Sequence, residues 1–116
     1  MTDLTPAQLA TIYLESWQAE DFDRLEQILS PEVTFSGPLA AVDGRENCLA
    51  GLKGMASMMT GITIDKMLSD DSDVMTWYDL HVEGAVLPTV NWSHVENGLI
   101  TAIRATFDPR PVAPPS

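Results

Sequence analysis

Cysteine and positive charge are both scarce in this chain. Its one cysteine, Cys48, cannot form a disulfide within the chain, and the chain does not begin with a basic segment followed by an apolar one. Both observations predict a reducing, cytoplasmic location. Six lysine and arginine residues oppose 17 aspartate and glutamate residues, which gives a net charge of −11. Because that charge repels phosphate backbones and anionic lipids, we expect neither nucleic acid nor a membrane as a partner.

Long hydrophobic runs and the common catalytic motifs are also missing. No apolar run approaches the roughly 20 residues that a membrane-spanning helix needs. The sequence contains no glycine-rich phosphate loop, no serine-centred nucleophile elbow and no cysteine or histidine residues at metal-binding spacing. Residues 69–73 include three acids but lack the glycine and the distal glutamate of a calcium loop. We therefore predict no metal site and no cofactor.

What is present is the composition of an ordinary folded domain. With 116 residues, of which 45% are hydrophobic and 20% charged, the chain is long enough for one hydrophobic core but too short for two. We predict a single domain over residues 1–108. Residues 109–116 form a proline-rich tail that cannot join a sheet ladder, and we expect this tail to be extended or disordered.

Helical periodicity marks the beginning of the chain. Thr5 is the expected N-cap of a first helix, with Pro6 at its first position and Gln8 completing a capping box. Apolar residues then recur at helical spacing through Tyr13 and Trp17. The pattern predicts a helix that lies across a concave surface and turns a phenol towards it.

Two further helices are predicted before the strands begin. The second follows Asp21 and ends before Pro31, which a helix interior does not tolerate. The third begins near residues 43–46, and its inner face extends as far as Met59. Cys48 lies within this third pattern, where it is expected to act as a small buried hydrophobic residue rather than as a nucleophile.

The second half of the chain has the period-2 pattern of strands. After a short strand at residues 33–35, strands are predicted at 62–68 and 74–83, followed by a long hairpin over 89–107. Asn97-Gly98 tolerates the positive φ angles of a tight turn in that hairpin. Helices packed on one face of a curved antiparallel sheet give an α+β fold, in which the concave face encloses a cavity.

The strand at 74–83 presents two competing faces. One face carries Val74, Thr76, Tyr78, Leu80 and Val82, and the other carries Met75, Trp77, Asp79, His81 and Glu83. Alternation alone would assign the first face to the core and the second to solvent, with Asp79 and His81 as a weak surface pair. A cavity needs a few polar groups among apolar walls, and on that ground we expect the second face to line it.

The order of elements and several short strings resemble the nuclear-transport-factor-2-like superfamily. The resemblance is greatest to its SnoaL-like branch, which includes polyketide cyclases, ketosteroid isomerases and limonene epoxide hydrolases. The strings that carry it are residues 13–15, 21–25, 31–35, 43–46, 81–84 and 95–100. The resemblance implies a cone-shaped sheet with three helices on its concave side and an open end that admits a small apolar ligand. It also implies a homodimer, which we expect to form through the convex sheet face.

The resemblance further implies roles for individual residues. Tyr13 falls where ketosteroid isomerases have an oxyanion-hole tyrosine, and Asn91 falls where those isomerases and the SnoaL-like cyclases have an aspartic acid. His81 resembles the strand histidine of the cyclases. Gly37 coincides with the base aspartate of the isomerases and cannot take a proton, which disfavours their mechanism. Epoxide hydrolysis is also disfavoured, because Asn91 replaces an acid.

These comparisons define a predicted site. His81 and Asp79 are the candidates for proton transfer, because a carboxylate beside a histidine holds it in one tautomer. Tyr13 and Asn91 would stabilise charge developing on a ligand oxygen, although either could instead be a buried residue bonded to the backbone. The remaining predicted ligand contacts are Trp17, Met59, Trp77, Ser93, Ile103, Ala105 and Phe107. On the opposite sheet face, Trp92, His94 and Arg104 are expected at the convex surface or a dimer interface.

The sequence thus predicts a protein that binds a small, largely apolar organic molecule. If it is an enzyme, we expect a cofactor-free acid–base isomerase, cyclase or dehydratase. The alternative is a non-catalytic module for small-molecule binding or dimerisation. A third hypothesis is the recognition of another protein through the convex sheet.

Overall fold

The structure is a computed structural model that describes residues 4–112. Three helices and six strands follow one another along the chain, and the predicted α+β fold is confirmed. None of the described helices is both long and apolar enough to cross a membrane. The elements are α1 (Pro6–Gln18), α2 (Phe22–Ile28), β1 (Leu29–Ser36), β2 (Ala41–Asp43), α3 (Arg45–Ala56), β3 (Met59–Ser69), β4 (Asp73–Val82), β5 (Ala85–Glu96) and β6 (Leu99–Thr106).

Local capping chemistry fixes where α1 begins. The Thr5 hydroxyl accepts a hydrogen bond from the Gln8 backbone N–H at 3.1 Å, and the Gln8 side chain accepts one from the Thr5 N–H at 2.9 Å. This is the predicted capping box, with Pro6 in the first turn. The buried stripe of α1 includes Tyr13 and Trp17 and faces the sheet.

All six strands join one curved, unclosed sheet in the order β2-β1-β6-β5-β4-β3. The sheet is mixed, so the prediction of a wholly antiparallel sheet is wrong in one place: β1 runs parallel to β6. These two strands are far apart in sequence and no turn joins them, so no local signal indicates their direction. The three-residue strand β2, which pairs with β1, was also missed by the sequence analysis.

The hairpin of β5 and β6 is confirmed. Asn97 and Gly98 form its turn with φ angles of 54° and 77°, as an Asn-Gly turn requires. The register places Asn91 opposite Ala105 and Trp92 opposite Arg104. Neighbouring residues of β5 therefore point to opposite faces of the sheet.

One helix boundary differs from the prediction. Helix α3 ends at Ala56, so Met59 begins β3 instead of lying on the inner face of the helix. At the chain end, the Val112 N–H donates to the Pro109 carbonyl at 3.0 Å, and Val112 packs against the core. The rest of the predicted tail, residues 113–116, lies outside the described residues.

The sheet has an inner face, which the helices cover, and an outer face. In β4 the buried, inner residues are Val74, Thr76, Tyr78, Leu80 and Val82. The other set is more exposed, and Trp77 retains 51% of its accessible surface. The prediction that the second set lines the interior is therefore wrong, because the helices bury the more apolar set.

Candidate functional site

A cavity of about 230 Å³ lies between the inner face of the sheet and helices α1 and α3. Its walls are mainly aliphatic and aromatic, and it is partly open to solvent, with residues 38–40 among the exposed parts of its wall. Five of the eight aromatic residues of the chain contribute to the walls: Tyr13, Trp17, Phe35, Tyr78 and Phe107. Such walls suit an apolar ligand with a flat or compact shape.

Helix α1 supplies the two aromatic rings that close one side. Tyr13 and Trp17 lie four residues apart, so they share a helical face, and their ring centroids are 6.1 Å apart. The Trp17 Nε1–H donates a buried hydrogen bond of 2.9 Å to the Leu52 carbonyl oxygen of α3. This bond fixes the indole and ties α1 to α3 across the cavity.

Strands β4 and β5 supply the polar groups of the opposite wall. Tyr78 and Thr89 are paired across the two strands, and both line the cavity with Asn91. The Thr89 hydroxyl is already used, because it donates to the Leu87 carbonyl at 2.9 Å. The Asn91 Nδ2 donates to the Ser93 hydroxyl at 3.1 Å, whereas its Oδ1 has no partner within the described part of the chain.

The cavity is electrically neutral at physiological pH. None of the described residues that line it is an Asp, Glu, Lys, Arg or His. Burial raises the pKa of the Cys48 thiol from 9.0 to about 11. Burial likewise raises the pKa of Tyr78. The pKa of Tyr13 is raised well above its ordinary value, mainly by burial and to a smaller extent by the neighbouring Tyr78 and Cys48. All three groups therefore stay protonated near pH 7.

Comparison with known families decides the classification of the fold. The sequence model of the SnoaL-like domain family matches residues 10–103 of the chain. The chain belongs to the SnoaL-like family. This confirms the resemblance that the sequence analysis drew from the order of elements and from short strings.

Solved structures with a SnoaL-like or related fold match closely in shape. An NTF2-like protein of unknown function from Cytophaga hutchinsonii is 27% identical, covers 96% of both chains and superimposes with a TM-score of 0.84. A putative ketosteroid isomerase from Kribbella flavida is 18% identical over 93% of this chain and 81% of that one, with a TM-score of 0.78. An LEH-like epoxide hydrolase from M. tuberculosis is 21% identical over 86% and 80% of the two chains, with a TM-score of 0.71. No curated protein matches the chain.

The SnoaL-like cavity contains only part of the predicted constellation. Tyr13 and Asn91 line it, but His81 and Asp79 lie on the outer face of β4. The His81 Nε2 is 3.0 Å from the Thr63 hydroxyl on the neighbouring strand β3. The structure therefore does not bring the four predicted catalytic residues together, and the placement of His81 and Asp79 in the cavity is wrong.

The predicted ligand contacts divide in the same way. Trp17, Ala105 and Phe107 line the cavity. Four others occupy different positions: Trp77 lies on the outer face, Met59 is half-buried at the start of β3, and Ser93 and Ile103 are buried without contributing to the cavity walls. Ser93 still touches the site indirectly, through its hydrogen bond from Asn91.

Several residues of the SnoaL-like cavity were not predicted as ligand contacts. Tyr78 and Leu80 were assigned to an ordinary core, and Cys48 to a buried helix face. The signal that could have identified Tyr78 is the alternation of β4, which places it on the same face as the apolar residues. Gly51 and Gly54 of α3 also line the cavity, and no atom of another described element lies within 4 Å of a Cβ position at either. Their small size leaves the space open.

A second polar cluster lies away from the cavity, on the outer face. Asp73 Oδ1 accepts hydrogen bonds from the Trp92 Nε1–H at 3.0 Å and from His94 Nδ1 at 2.7 Å. The hydrogen bond with Asp73 raises the pKa of His94, and the same bond lowers the pKa of Asp73. Between residues 4 and 112, no group of three or more His, Cys, Asp or Glu side chains could hold a metal ion.

Proposed function

We propose that this SnoaL-like chain binds a small, neutral, largely apolar organic molecule in the cavity between its helices and the inner face of its sheet. The observation that carries the proposal is the 230 Å³ cavity with aromatic and aliphatic walls. Pockets for drug-sized ligands occupy about 300–1,000 Å³, so this cavity suits a smaller molecule.

The charge distribution supports a neutral ligand. The chain carries 23 charged side chains if the acids and bases are counted together, yet none of them lies among the described residues of the cavity walls. An ionised ligand would lose its hydration there without gaining a partner of opposite charge, and that loss is unfavourable. The cavity therefore favours the uncharged form of a ligand over its ionised form.

A cavity-blocking variant tests this proposal, with the bicyclic hydrocarbon indane as the probe. Gly51 shares a face of α3 with Cys48 and Met55, which line the cavity three residues before it and four residues after it. We expect Gly51→Phe to weaken indane binding by at least about tenfold in isothermal titration calorimetry, because the ring fills the space that the ligand needs. Ala50→Phe places the same ring on the adjacent, exposed position of α3 and should leave binding unchanged.

Either of two results would reject the proposal. One is the absence of indane binding to the unaltered protein. The other is equal binding by the Gly51→Phe variant and the Ala50→Phe control, which would place the ligand elsewhere. Circular dichroism and thermal unfolding establish that both variants are folded.

Ligand binding has more support than acid–base catalysis. A proton-transferring group works best when its pKa lies near the working pH, and the described cavity walls contain no imidazole or carboxylate. The two structural neighbours described as an isomerase and an epoxide hydrolase are 18% and 21% identical, so they indicate the fold alone. A cofactor-free isomerase, cyclase or dehydratase would need its base to come from outside this cavity wall.

We also propose that two copies of the chain associate through the outer face of the sheet. Large apolar side chains are exposed there, including Leu68, Met75 and Trp77, and the register pairs Leu68 with Met75 on adjacent strands. Lys66 and Arg104 lie on the same face as the acids Asp73 and Asp79, so pairs of opposite charge can form between two copies. A second copy would cover an apolar patch that otherwise faces water. The single buried cysteine, Cys48, supports a cytoplasmic location for this assembly.

Sedimentation velocity tests the association. Trp77→Asp puts a charge in the centre of the patch and should convert a dimer into a monomer. Leu39→Asp introduces the same charge at a similarly exposed apolar residue of the cavity wall, away from the outer face, and should leave the dimer intact. A monomeric unaltered protein at micromolar concentration would rule out self-association, and the outer face would then be tested against a different protein.

A further inference from the structure

We propose that the ligand of this cavity is a small neutral alcohol or phenol whose hydroxyl group donates a hydrogen bond to the Oδ1 atom of Asn91. The proposal rests on the proposed function and specifies the chemical class that the same cavity selects. It also separates an alcohol from the corresponding ketone, which general apolar binding does not do.

The side-chain carbonyl oxygen of Asn91 is buried and unpaired within the described chain. The residue is only 3% exposed, and its Nδ2 is already committed to the Ser93 hydroxyl at 3.1 Å. Its Oδ1 has no hydrogen-bond partner among residues 4–112. A buried acceptor without a donor is unfavourable, and a ligand that supplies the donor removes that cost. Asn91 lies in the cavity wall, so the donor of a bound ligand is the group that can pair with this oxygen.

The protein does not supply that donor itself. Thr76 faces Asn91 directly across β4 and β5, and its Oγ1 is also buried without a partner in the described chain. The two side chains do not bond to each other, although both belong to the inner face. Thr89, which carries a hydroxyl on the same face of β5 and lines the cavity, donates to the backbone of Leu87 instead.

The two tyrosines explain how the same hydroxyl group can also accept a hydrogen bond. Tyr13 and Tyr78 both line the cavity, and each phenol carries an O–H that can donate. The oxygen of an alcohol can accept a hydrogen bond from one of these phenols while its O–H donates a hydrogen bond to Asn91 Oδ1. A ketone oxygen can only accept, so it leaves the Asn91 oxygen unpaired. A hydrocarbon satisfies neither group.

The absence of charged groups from the described cavity walls limits the class further. A carboxylate ligand would find no lysine or arginine there, and an ammonium ligand would find no aspartate or glutamate. Because an alcohol is neutral over the whole physiological range, it avoids the cost of burying an unpaired charge. The aromatic walls add contact area for a ring that carries the hydroxyl.

A matched series of bicyclic probes tests the proposal on the unaltered protein. Indanol, indanone and indane have almost the same shape and differ in carrying a hydroxyl, a carbonyl or no oxygen. We expect indanol to bind about tenfold more tightly than indanone in isothermal titration calorimetry, which is the size of one hydrogen-bond difference. Protonated aminoindane, which carries a positive charge, should bind more weakly than any of the three.

Two variants assign the preference to Asn91. Asn91→Leu removes the acceptor while keeping a similar volume, and it should reduce the indanol-to-indanone affinity ratio to about one. Thr76→Val is the matched control, because it removes a buried hydroxyl on the same sheet face from a residue that does not line the cavity. The control should keep the preference for indanol. Thermal unfolding verifies that both variants fold, and the comparison of probes on the unaltered protein needs no variant.

The outcomes separate this proposal from the more general one. If indane and indanone bind but indanol binds no better, the cavity is a ligand site without the alcohol preference, and this inference fails alone. If indanone binds more tightly than indanol, the Asn91 amide presents its N–H to the ligand, and the inference is overturned. If none of the neutral probes binds, the proposed function fails as well.

Discussion

The two faces of strand β4 differ in both burial and chemistry. On the inner face, Tyr78 and Leu80 are almost fully buried and line a neutral cavity. On the outer face, Trp77 is half exposed, and Asp79 and His81 retain contact with solvent. Neighbouring residues thus belong to different environments because side chains alternate along a strand. The chemical type of a residue therefore does not by itself locate a site. The titratable residues Asp79 and His81 lie on the outer face, and the phenol of Tyr78 lies in the cavity.

The same contrast extends to strand β5. Its inner polar residues Thr89, Asn91 and Ser93 are buried and joined by short hydrogen bonds to the backbone or to one another. Its outer residues Trp92 and His94 instead bond to Asp73, an acid that is partly exposed. An unpaired atom is therefore costly on the inner face and cheap on the outer one, where water can replace a partner.

The largest expected effect comes from truncating adjacent residues of β4. Leu80→Ala should destabilise the fold by about 2–5 kcal/mol, because it opens a hole in a closely packed interior. Asp79→Ala, one residue away on the outer face, should change stability by no more than about 0.5 kcal/mol. Urea unfolding followed by circular dichroism measures both values. Equal destabilisation by the two variants would contradict the assignment of the faces.

Trp17 and Trp92 allow the inner and outer faces to be compared through the same chemical group, the indole N–H. The indole N–H of Trp17 donates to a buried backbone carbonyl, and that of Trp92 donates to the carboxylate of Asp73. Trp17→Phe should cost about 1–3 kcal/mol, because it removes a buried hydrogen bond. Trp92→Phe should cost less, since water can hydrate the carboxylate. Thermal unfolding of the two variants under the same conditions decides the order, and a larger loss from Trp92→Phe would show that the outer cluster supports the fold.

Local sequence signals predicted most of the elements. The capping box at Thr5, the helix breaker at Pro31 and the Asn97-Gly98 turn each act through neighbouring residues, so they can be identified without a structure. The parallel pairing of β1 with β6 depends on strands at opposite ends of the chain and has no local signal. The short strand β2 exists because β1 is available to pair with it.

The site was only partly predictable for a related reason. Tyr13 and Asn91 line the cavity, and both lie on elements with strong patterns, α1 and the hairpin. For β4, alternation pointed to Tyr78 and Leu80, but the expectation that a cavity needs polar groups favoured the face with His81. The simple physical pattern was the correct one. The unpaired Asn91 oxygen could not be foreseen, because it depends on the positions of several side chains at once.

The third prediction concerns pH and the outer face. The hydrogen bond to Asp73 raises the pKa of His94 above 6.5, so this pairing stabilises the fold below pH 6.5 and the stabilisation is lost as pH rises through the raised pKa. The pKa of Asp73 is lowered below 3.8, so its contribution is present above pH 3.8 and is lost as pH falls through the lowered pKa. The stability difference between the unaltered protein and His94→Gln should therefore be largest between these two values. Urea unfolding across a pH series measures it, and a difference that grows above neutral pH would have the wrong sign.

The smallest effect is expected from His81, and it tests the original placement most directly. His81→Ala removes a half-buried outer side chain whose Nε2 lies 3.0 Å from the Thr63 hydroxyl. Stability should change by no more than about 0.5 kcal/mol, and the affinity for indanol should stay the same.

Tyr13→Phe is the inner counterpart: it keeps the ring but removes a hydroxyl from the cavity, so it should weaken indanol binding while leaving indane binding unchanged. If His81→Ala weakened binding as much as Tyr13→Phe does, the outer face would have to take part in ligand recognition after all.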